Sequence, residues 1–476
     1  MSEARNRGLV QAKLSRRQFL RTIGAGAVVA ALSGCAPKVV EVTKVVEKEV
    51  EKVVEVTREV EKAPAAPQIV TIEFANDWNS GSRFQMITDA RNMFEDQNPD
   101  IRVKMLQLGG GTTFEGVFSD YIVPRFLTGT APDLIYGAAT FIYSHKNYLL
   151  DMTDALAQAG YKEDDYYTVQ RATHDEQGRI YGLPFNIFSS NWVYNVDLFQ
   201  QAGVEPPSAD WDWNELVEKA RKLTDPAKGQ YGLHVWNHWE YGYFPLMYSN
   251  GARFTNAEFT KTAFNTPDAA EALQWYIDLI YKDKLAPTPE VSTALMGGYV
   301  PDVFATGKIG MAPRYGSTQG ITQAVGGRFK YSLVIPPKSP KTGKRGAYKG
   351  MEPLMAVAEV TKRGHLDAVL KFGMFLIGEE YQTHLSDPNN RVMTLVNKKV
   401  TRGQVGKYLE APPENMKVVS EILDSDYVYD HPMFAKYGEF RQALWTPVDK
   451  AFLQEITAAE ALAQAETACN QVLQSK

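Results

Sequence analysis

The sequence predicts an α/β protein of two domains, preceded by segments that do not belong to the folded part. Three observations carry this reading. Short β-like runs alternate with longer helical patterns, at 68–77, 86–97, 101–108 and 133–138, the order expected of parallel strands joined by helices. From residue 68 to 476 there are 409 residues, too many for one ordinary core and suited to two domains of roughly 200. With 44% hydrophobic and 22% charged residues, the composition is that of a soluble globular chain.

The first element is a leader. Ser15-Arg16-Arg17-Gln18-Phe19-Leu20 is followed by mostly small and apolar residues from Ile23 to Gly34, and then by Cys35. A charged region, an apolar region and a small-residue cleavage site stand in the order an export signal requires. The apolar run is about a dozen residues, whereas a spanning helix needs about 20. Arg16 and Arg17 resemble the pair of the twin-arginine export motif, and Leu32-Ser33-Gly34-Cys35 resembles a bacterial lipoprotein box. The resemblance implies that Cys35 is acylated and becomes the new N-terminus.

Residues 1–34 carry a net charge of +5, so cleavage moves the chain from −5 to −10. An acidic mature protein argues against nucleic acid as a partner, because phosphate binding rests on clustered Lys and Arg. Cys469 is the one cysteine left besides Cys35. A core, not disulfides, must therefore hold the protein together.

A tether follows. Lys38-Val39-Val40-Glu41-Val42-Thr43 recurs fourteen residues later as Lys52-Val53-Val54-Glu55-Val56-Thr57, and Val39, Val46, Val53 and Val60 keep a seven-residue spacing. As a helix the 25 residues 38–62 would reach roughly 37 Å. Three heptads are marginal for a coiled coil, and β-branched residues weaken a lone helix, so a solvated stalk on a monomer is expected. Ala63-Pro64-Ala65-Ala66-Pro67 ends any helix as a short extended spacer.

Within the globular part, a helix over 197–202 is expected to stop at Gly203, and Asp212 or Asn214 to cap the next helix. Pro206-Pro207 reads as an extended connector. Six segments then resemble, in chain order, the bacterial extracellular solute-binding proteins, the group that includes maltose-binding and other sugar-binding lipoproteins. They are Phe94-Glu95-Asp96-Gln97-Asn98-Pro99-Asp100-Ile101-Arg102-Val103, Ala131-Pro132-Asp133-Leu134-Ile135, the stretch 181–207, Trp213-Asn214-Glu215-Leu216, 304–312, and Ala458-Ala459-Glu460-Ala461-Leu462.

The resemblance implies a two-lobed periplasmic-binding-protein-like fold of type II, with a ligand cleft between α/β lobes joined by crossing hinge strands. The crossings are expected near 185–190 and 349–355. The implied organisation is an export signal over 1–34, a lipid-anchored charged tether over 35–67, a first lobe over 68–187, the main part of a second lobe over 188–350, a return to the first lobe over 351–410, and C-terminal helices mostly of the second lobe over 411–476.

Enzymatic signatures are weak. Gly109-Gly110-Gly111 lacks the spacing of a dinucleotide or P-loop motif, Gly307-Lys308 is followed by Ile309 where a P-loop needs Ser or Thr, and Ser317 lacks a Gly-x-Ser-x-Gly elbow. His234 and His238 stand four apart, the spacing of a zinc-binding pair on a helix. Yet Val235 occupies the place of a metalloprotease's Glu, and a confident helix is not expected there. No catalytic residue, resident metal or cofactor is therefore expected.

The aromatics of 234–244 are more informative. Sugar rings pack C–H faces on indole and phenol rings, so Trp236, Trp239 and Tyr241 are stacking candidates. The family pattern adds Asp77, Trp78 and Asn79 after the first strand, Thr140 after the Pro132-Asp133 motif, Asn186 in the first crossing, Arg314 and Tyr315, and Glu352 in the second.

The leading expectation is a substrate-binding lipoprotein that captures a sugar or oligosaccharide by hinge closure. It would deliver this ligand to the permease subunits of an ABC importer, at the extracytoplasmic face of a membrane reached through Cys35. Alternatives are a secreted glycoside-active enzyme with paired carboxylates, a sensory ectodomain, or a binder of polyamine, glycerol phosphate or metal, with Tyr166 and Tyr167 as possible iron ligands.

Overall fold

The structure, a computed structural model, describes residues 69–108, 114–137, 139–298, 302–315, 319–387, 390, 393–404, 413–430 and 433–475. The leader with Arg16, Arg17 and Cys35, the tether, the glycines 109–111 and Ser317 lie outside the described residues. So does the side chain of Tyr315. Among the described residues no helix is long and apolar enough to cross a membrane.

The described strands are β1 (Val70–Asn76), β2 (Ile101–Gln107), β3 (Leu134–Tyr136), β4 (Leu183–Asn195), β5 (Tyr231–Leu233), β6 (Ile309–Tyr315), β7 (Tyr331–Val334), β8 (Ala347–Ala356) and β9 (Val428–Tyr429). The principal helices are α1 (Gly81–Gln97), α2 (Phe114–Thr128), α3 (Val196–Ala202), α4 (Trp213–Leu223), α5 (Phe244–Ser249), α6 (Pro267–Tyr281), α7 (Pro289–Met296), α8 (Gln319–Val325), α9 (Leu366–Ile377), α10 (Tyr437–Phe452) and α11 (Ala458–Gln474).

The first lobe begins as the alternation predicts. β1 pairs in parallel with both β2 and β3, and α1 and α2 make the returns that parallel pairing requires. α1 buries Met86, Ile87, Ala90 and Phe94 on one face. Phe94 meets Phe372 of α9 at 5.0 Å between ring centroids, and Phe372 meets Phe74 of β1 at 5.6 Å. Each such buried side chain stabilises the lobe by about 1.5–3 kcal/mol. The 366–377 segment thus returns to the first lobe, far along the chain from α1.

The second lobe is built around β4, β6 and β7. Asn195 caps α3 by accepting from the Leu198 N–H, and Gly203 ends it at φ 62°, a left-handed conformation open to glycine at little cost. Asp212 accepts from the Asn214 and Glu215 N–H groups at the start of α4. α11 carries a Thr457/Glu460 capping box, and it is tied to the lobe where Asn265 donates to Glu466 at 2.7 Å.

Both lobes share one hydrogen-bonded sheet, in the order β2-β1-β3-β8-β4-β6-β5. Residues 183–189 of β4 pair antiparallel with β8, while 190–195 pair with β6 and β7. Residues 354–356 of β8 pair antiparallel with β3, and 347–348 pair with β9. β4 therefore changes partners from β8 to β6 and β7 after Ser189, while β8 runs from β9 past β4 to β3. The lobes also touch away from the strands. Gln323 of α8 donates to the Ser82 hydroxyl at 3.3 Å, and the Arg171 guanidinium lies 4.0 Å from the Phe259 ring centroid.

Gly350, in the middle of the crossing part of β8, has no room for a side chain. A Cβ there would stand 2.2 Å from the Tyr348 hydroxyl oxygen and 2.3 Å from Phe188 Cε2. Gly350→Ala is expected to destabilise the protein by about 1–3 kcal/mol, the usual cost of overpacking. Chemical denaturation checks it, and an unchanged midpoint would show that the crossing relaxes freely.

Candidate functional site

The pairing of the strands determines which loops meet between the lobes. Tyr315 at the end of β6 lies opposite Ser190, where β4 enters the second lobe, and β5 runs parallel to β6. The segment after β5 therefore emerges at the junction. In the first lobe Tyr136 lies opposite Leu354, and β1 runs parallel to β3, so the chain after Asn76 emerges at the same junction. Carboxyl ends of parallel strands from both lobes thus point toward one place, the usual position of a ligand in open α/β sheets.

On the first-lobe side the buried Asn76 side chain accepts from the Trp78 N–H at 3.0 Å and turns the chain. Trp78 is buried against Tyr136 and Phe185, at centroid distances of 4.5 and 5.9 Å, with Arg83 5.6 Å from its ring. The Tyr136 hydroxyl and the Asn186 amide both donate to Glu352 Oε2, the amide at 2.7 Å. Burial raises the Glu352 carboxyl above the usual carboxylate range, against the lowering effect of those two hydrogen bonds. Burial also raises Asp77, opposed by its own backbone hydrogen bond and by Arg83. Asp77 Oδ1 and Trp78 Nε1 are buried without a hydrogen-bond partner among the described residues.

On the second-lobe side the histidines do not share a helix face. His234 directly follows β5, while His238 precedes a π-helical turn over Trp239–Tyr243 that continues into α5. Gly242 permits this turn, since a Cβ there would stand 1.9 Å from the Trp236 carbonyl oxygen. Trp236 and Tyr241 stack at 5.7 Å, and His238 lies 4.8 Å from both rings and 5.7 Å from Trp445 of α10. Arg314 stands 5.8 Å from the Trp236 ring and is ion-paired with Asp302. Burial pushes His234 down to about 3 and His238 to about 4, with Arg314 and Arg441 adding to the respective shifts. Both imidazoles are therefore neutral at neutral pH.

The crossing strands connect the two groups. Tyr348, Gly350 and Glu352 share one face of β8, by the two-residue period of a strand. Tyr348 meets Tyr241 at 5.7 Å and Phe188 at 6.0 Å, while Glu352 sits in the first-lobe group about 13 Å further along. Across the ladder, Asn186 and Phe188 lie opposite Glu352 and Gly350.

Of the residues named from sequence, Asp77, Trp78, Asn186 and Glu352 come together, as do Trp236, Tyr241 and Arg314. Asn79 is exposed beside the first group. Thr140, four residues beyond the junction end of β3, starts the short helix Phe141–Ser144, its carbonyl accepting from the Tyr143 and Ser144 N–H groups. Trp239 needs correction as a stacking residue. It is 1% exposed and packs against Phe254, Tyr348 and Tyr437, because the π turn points it into the lobe. Tyr166 and Tyr167 are buried as well; Tyr167 donates to Asp424 at 3.2 Å, and burial pushes its phenol up to about 12, against an ionised ligand role. Among the described residues no three or more His, Cys, Asp or Glu side chains are grouped so as to hold a metal ion.

Tyr136, Arg83, Tyr348 and Trp445 were not named from sequence, and His238, weighed there for its metal-like spacing, joins the aromatic group instead. Tyr136 and Tyr348 were accessible in principle, one as a strand-end residue and the other four positions before Glu352 on the same strand face. Trp445 reaches the site only through helix packing, which leaves no local signal.

Comparison with known proteins places these features in context. The family model of the bacterial extracellular solute-binding proteins matches residues 75–383. YcjN of Escherichia coli (strain K12), which carries the name of an ABC transporter periplasmic-binding protein, is 26% identical over 322 residues, 64% of this chain and 68% of that protein. The mannitol-binding protein of Pseudomonas aeruginosa is 31% identical over 166 residues, 35% of this chain and 36% of its own. The chain thus spans between about a third and two thirds of these curated relatives. Among solved structures, the substrate-binding protein Lmo0181 of Listeria monocytogenes in complex with cycloalternan superposes with a TM-score of 0.71 at 23% identity, covering 86% of this chain and all of that one. Maltose-bound MalE3 of Thermotoga maritima gives 0.68 at 21% identity, covering 85% and 99%. At these identities the structures establish the fold.

Two outcomes follow from the packing. Trp239→Ala should lose about 3–5 kcal/mol of stability, the cost of deleting a buried indole, measured by denaturation without ligand. The neutral histidines contribute stability that is full above pH 6.5 and lost as pH falls through about 4. The double variant His234→Gln/His238→Gln should therefore have a flatter stability profile than the wild type from pH 7 to 4, and parallel profiles would show the imidazoles to be solvated.

Proposed function

Because the chain belongs to the bacterial extracellular solute-binding protein family, we propose that it captures a neutral carbohydrate between its lobes for an ABC importer. The observation that carries this reading is the pairing of an aromatic group, Trp236 and Tyr241, with a hydroxyl-binding group, Asp77, Asn186 and Glu352, at opposite ends of one crossing-strand face. Rings supply faces for sugar C–H groups, and carboxyl and amide groups bind hydroxyls. In this reading Tyr136 and Arg83 hold the carboxyl group, Arg314 orients Trp236, and Tyr315 and Asn79 border the cleft.

The relatives support a polyol or sugar, since one is named for mannitol and another structure holds maltose. A further relative is named for sn-glycerol-3-phosphate, so a phosphorylated polyol is the second reading. Charge favours the neutral ligand: Arg314 is ion-paired with Asp302, and Arg83 stands among Asp77 and Glu352, leaving little net attraction for a dianion. Hinge closure would follow from a ligand that touches both lobes at once.

The family acts outside the cytoplasm. We assign the tether over 35–67 to a stalk from a lipid on Cys35, the lobes to 68–187 with 351–410 and to 188–350 with 411–476, and the working state to a monomer. Arg16 and Arg17 would direct export before cleavage.

A thermal-shift panel of mono- and oligosaccharides, polyols, sn-glycerol 3-phosphate, polyamines and metals tests the ligand class. A saccharide at 100 times its dissociation constant should stabilise the protein by about 2.7 kcal/mol. A shift produced by metals alone and reversed by a chelator would overturn the carbohydrate reading. Tyr241→Ala should weaken the saccharide about tenfold or more with little change in the melting of the free protein. Cys35→Ala should move the protein from the membrane fraction to the soluble one.

A further inference from the structure

Arg171 lies where the two lobes touch away from their shared strands. It belongs to the short helix Gln170–Thr173, whose backbone is fixed to the first lobe. The Tyr143 hydroxyl donates to the Arg171 and His174 carbonyls at 2.9 and 3.1 Å, and the Tyr181 and Gly182 N–H groups donate to the Thr173 carbonyl at 2.9 and 3.0 Å. The guanidinium carbon of this half-buried residue stands 4.9 Å from the Tyr143 ring centroid and 4.0 Å from that of Phe259, and Nε donates to the Met433 carbonyl at 3.1 Å. A guanidinium suits the place, because its flat face meets rings while its edge keeps hydrogen bonds. One side chain thus holds two second-lobe segments that are distant from each other along the chain.

Phe259 stands at the tip of a hairpin closed by the Thr255–Thr262 bridge and by Asn256, whose side chain accepts from the Thr260 and Lys261 N–H groups at 2.9 and 3.0 Å. Asn470 of α11 accepts from the Thr262 N–H at 2.9 Å and ties the hairpin to its lobe. At the tip Phe259 adopts φ 52°, a left-handed conformation that strains a bulky residue and that glycine takes at little cost. Its neighbours Ala257, Glu258 and Thr260 are exposed, whereas Phe259 is half-covered. Such an outlier persists where other contacts offset its strain, and here the strained residue is the one that meets Arg171.

The lobes meet a second time, where Gln323 of α8, the helix after β6, donates at 3.3 Å to Ser82 in the first turn of α1, four residues past Trp78. Contacts from different elements of each lobe suit a closed pair and not lobes splayed about their common strands. We propose that Arg171 and Phe259 form a clasp that stabilises the closed arrangement of the free protein and so sets its affinity for any occupant of the cleft. Displayed affinity scales with the fraction of protein already in the competent state. A clasp outside the cleft therefore strengthens every ligand by one common factor and leaves selectivity to the cleft residues. The inference rests on the lobe assignment given above and, for its effect on affinity, on the capture reading.

Electron–electron resonance distances between spin labels attached through Glu218→Cys and Lys399→Cys, exposed positions on different lobes, test it on the Cys35→Ala chain, in which Cys469 is buried. Without ligand, Arg171→Ala should add a second, displaced distance population to that of the parent. Phe259→Gly, which relieves the left-handed strain and so keeps the free protein stable, should add the same one. The double variant should shift no further than Arg171→Ala alone, because the two residues make one contact. Saccharides that bind the parent should weaken about three- to tenfold in both single variants, with their order of preference kept. Unchanged distances in both variants overturn the clasp, as does an affinity that holds or rises while the distances change. If no saccharide binds at all, the capture reading fails, and the distances of the free protein still decide the clasp.

Discussion

The antiparallel pairing of β4 with β8 is the constraint on which the molecule depends. Each strand is hydrogen-bonded in both lobes, β4 to β8 and then to β6 and β7, β8 to β4 and then to β3. A register slip of one residue between the two strands would put Asn186 on the opposite face of the sheet from Tyr348 and Glu352. The same pairing brings the carboxyl ends of β1, β3, β5 and β6 to the junction. It also explains why the small residue Gly350 lies at the centre: the Tyr348 hydroxyl and the Phe188 ring already occupy the place of its missing side chain.

Burial then determines the chemical character of what the junction presents. The Glu352 carboxyl is raised by desolvation and held by Tyr136 and Asn186, while the second-lobe imidazoles are held neutral by burial. Cations are committed locally, Arg314 to Asp302 and Arg83 beside Trp78. In the proposed reading such a surface would select by shape and hydroxyl pattern more than by net charge, in contrast to a phosphate cradle built on free N–H groups and arginines.

Some motifs legible in the sequence turn out to serve architecture. Asp133, of the Pro-Asp motif that marks the family resemblance, is 1% exposed and accepts from the Glu73 N–H at 2.9 Å and from Arg363 at 2.7 Å. It thereby ties β1 and β3 to the segment after β8, at the end of β3 away from Tyr136. A buried carboxylate with an arginine partner and a backbone donor is destabilising to break, so the motif's role is to hold the strand whose far end reaches the site. Thr140, chosen for its nearness to the motif in sequence, starts the short helix that follows β3.

By itself the sequence determined the α/β class, the helix stops and caps at Gly203 and Asp212, and the family, because these rest on local periodicity, backbone conformation and ordered short motifs. It also showed the aromatic stretch 234–244. Only the tertiary structure decided which of those rings stand at the junction: Trp236 and Tyr241 stack there, while a π turn closed around Gly242 buries Trp239 in the lobe. Tyr136, Tyr348 and Trp445 join from strands and a helix distant along the chain. Burial and ring contact depend on packing between such segments, and no local pattern of residues encodes them.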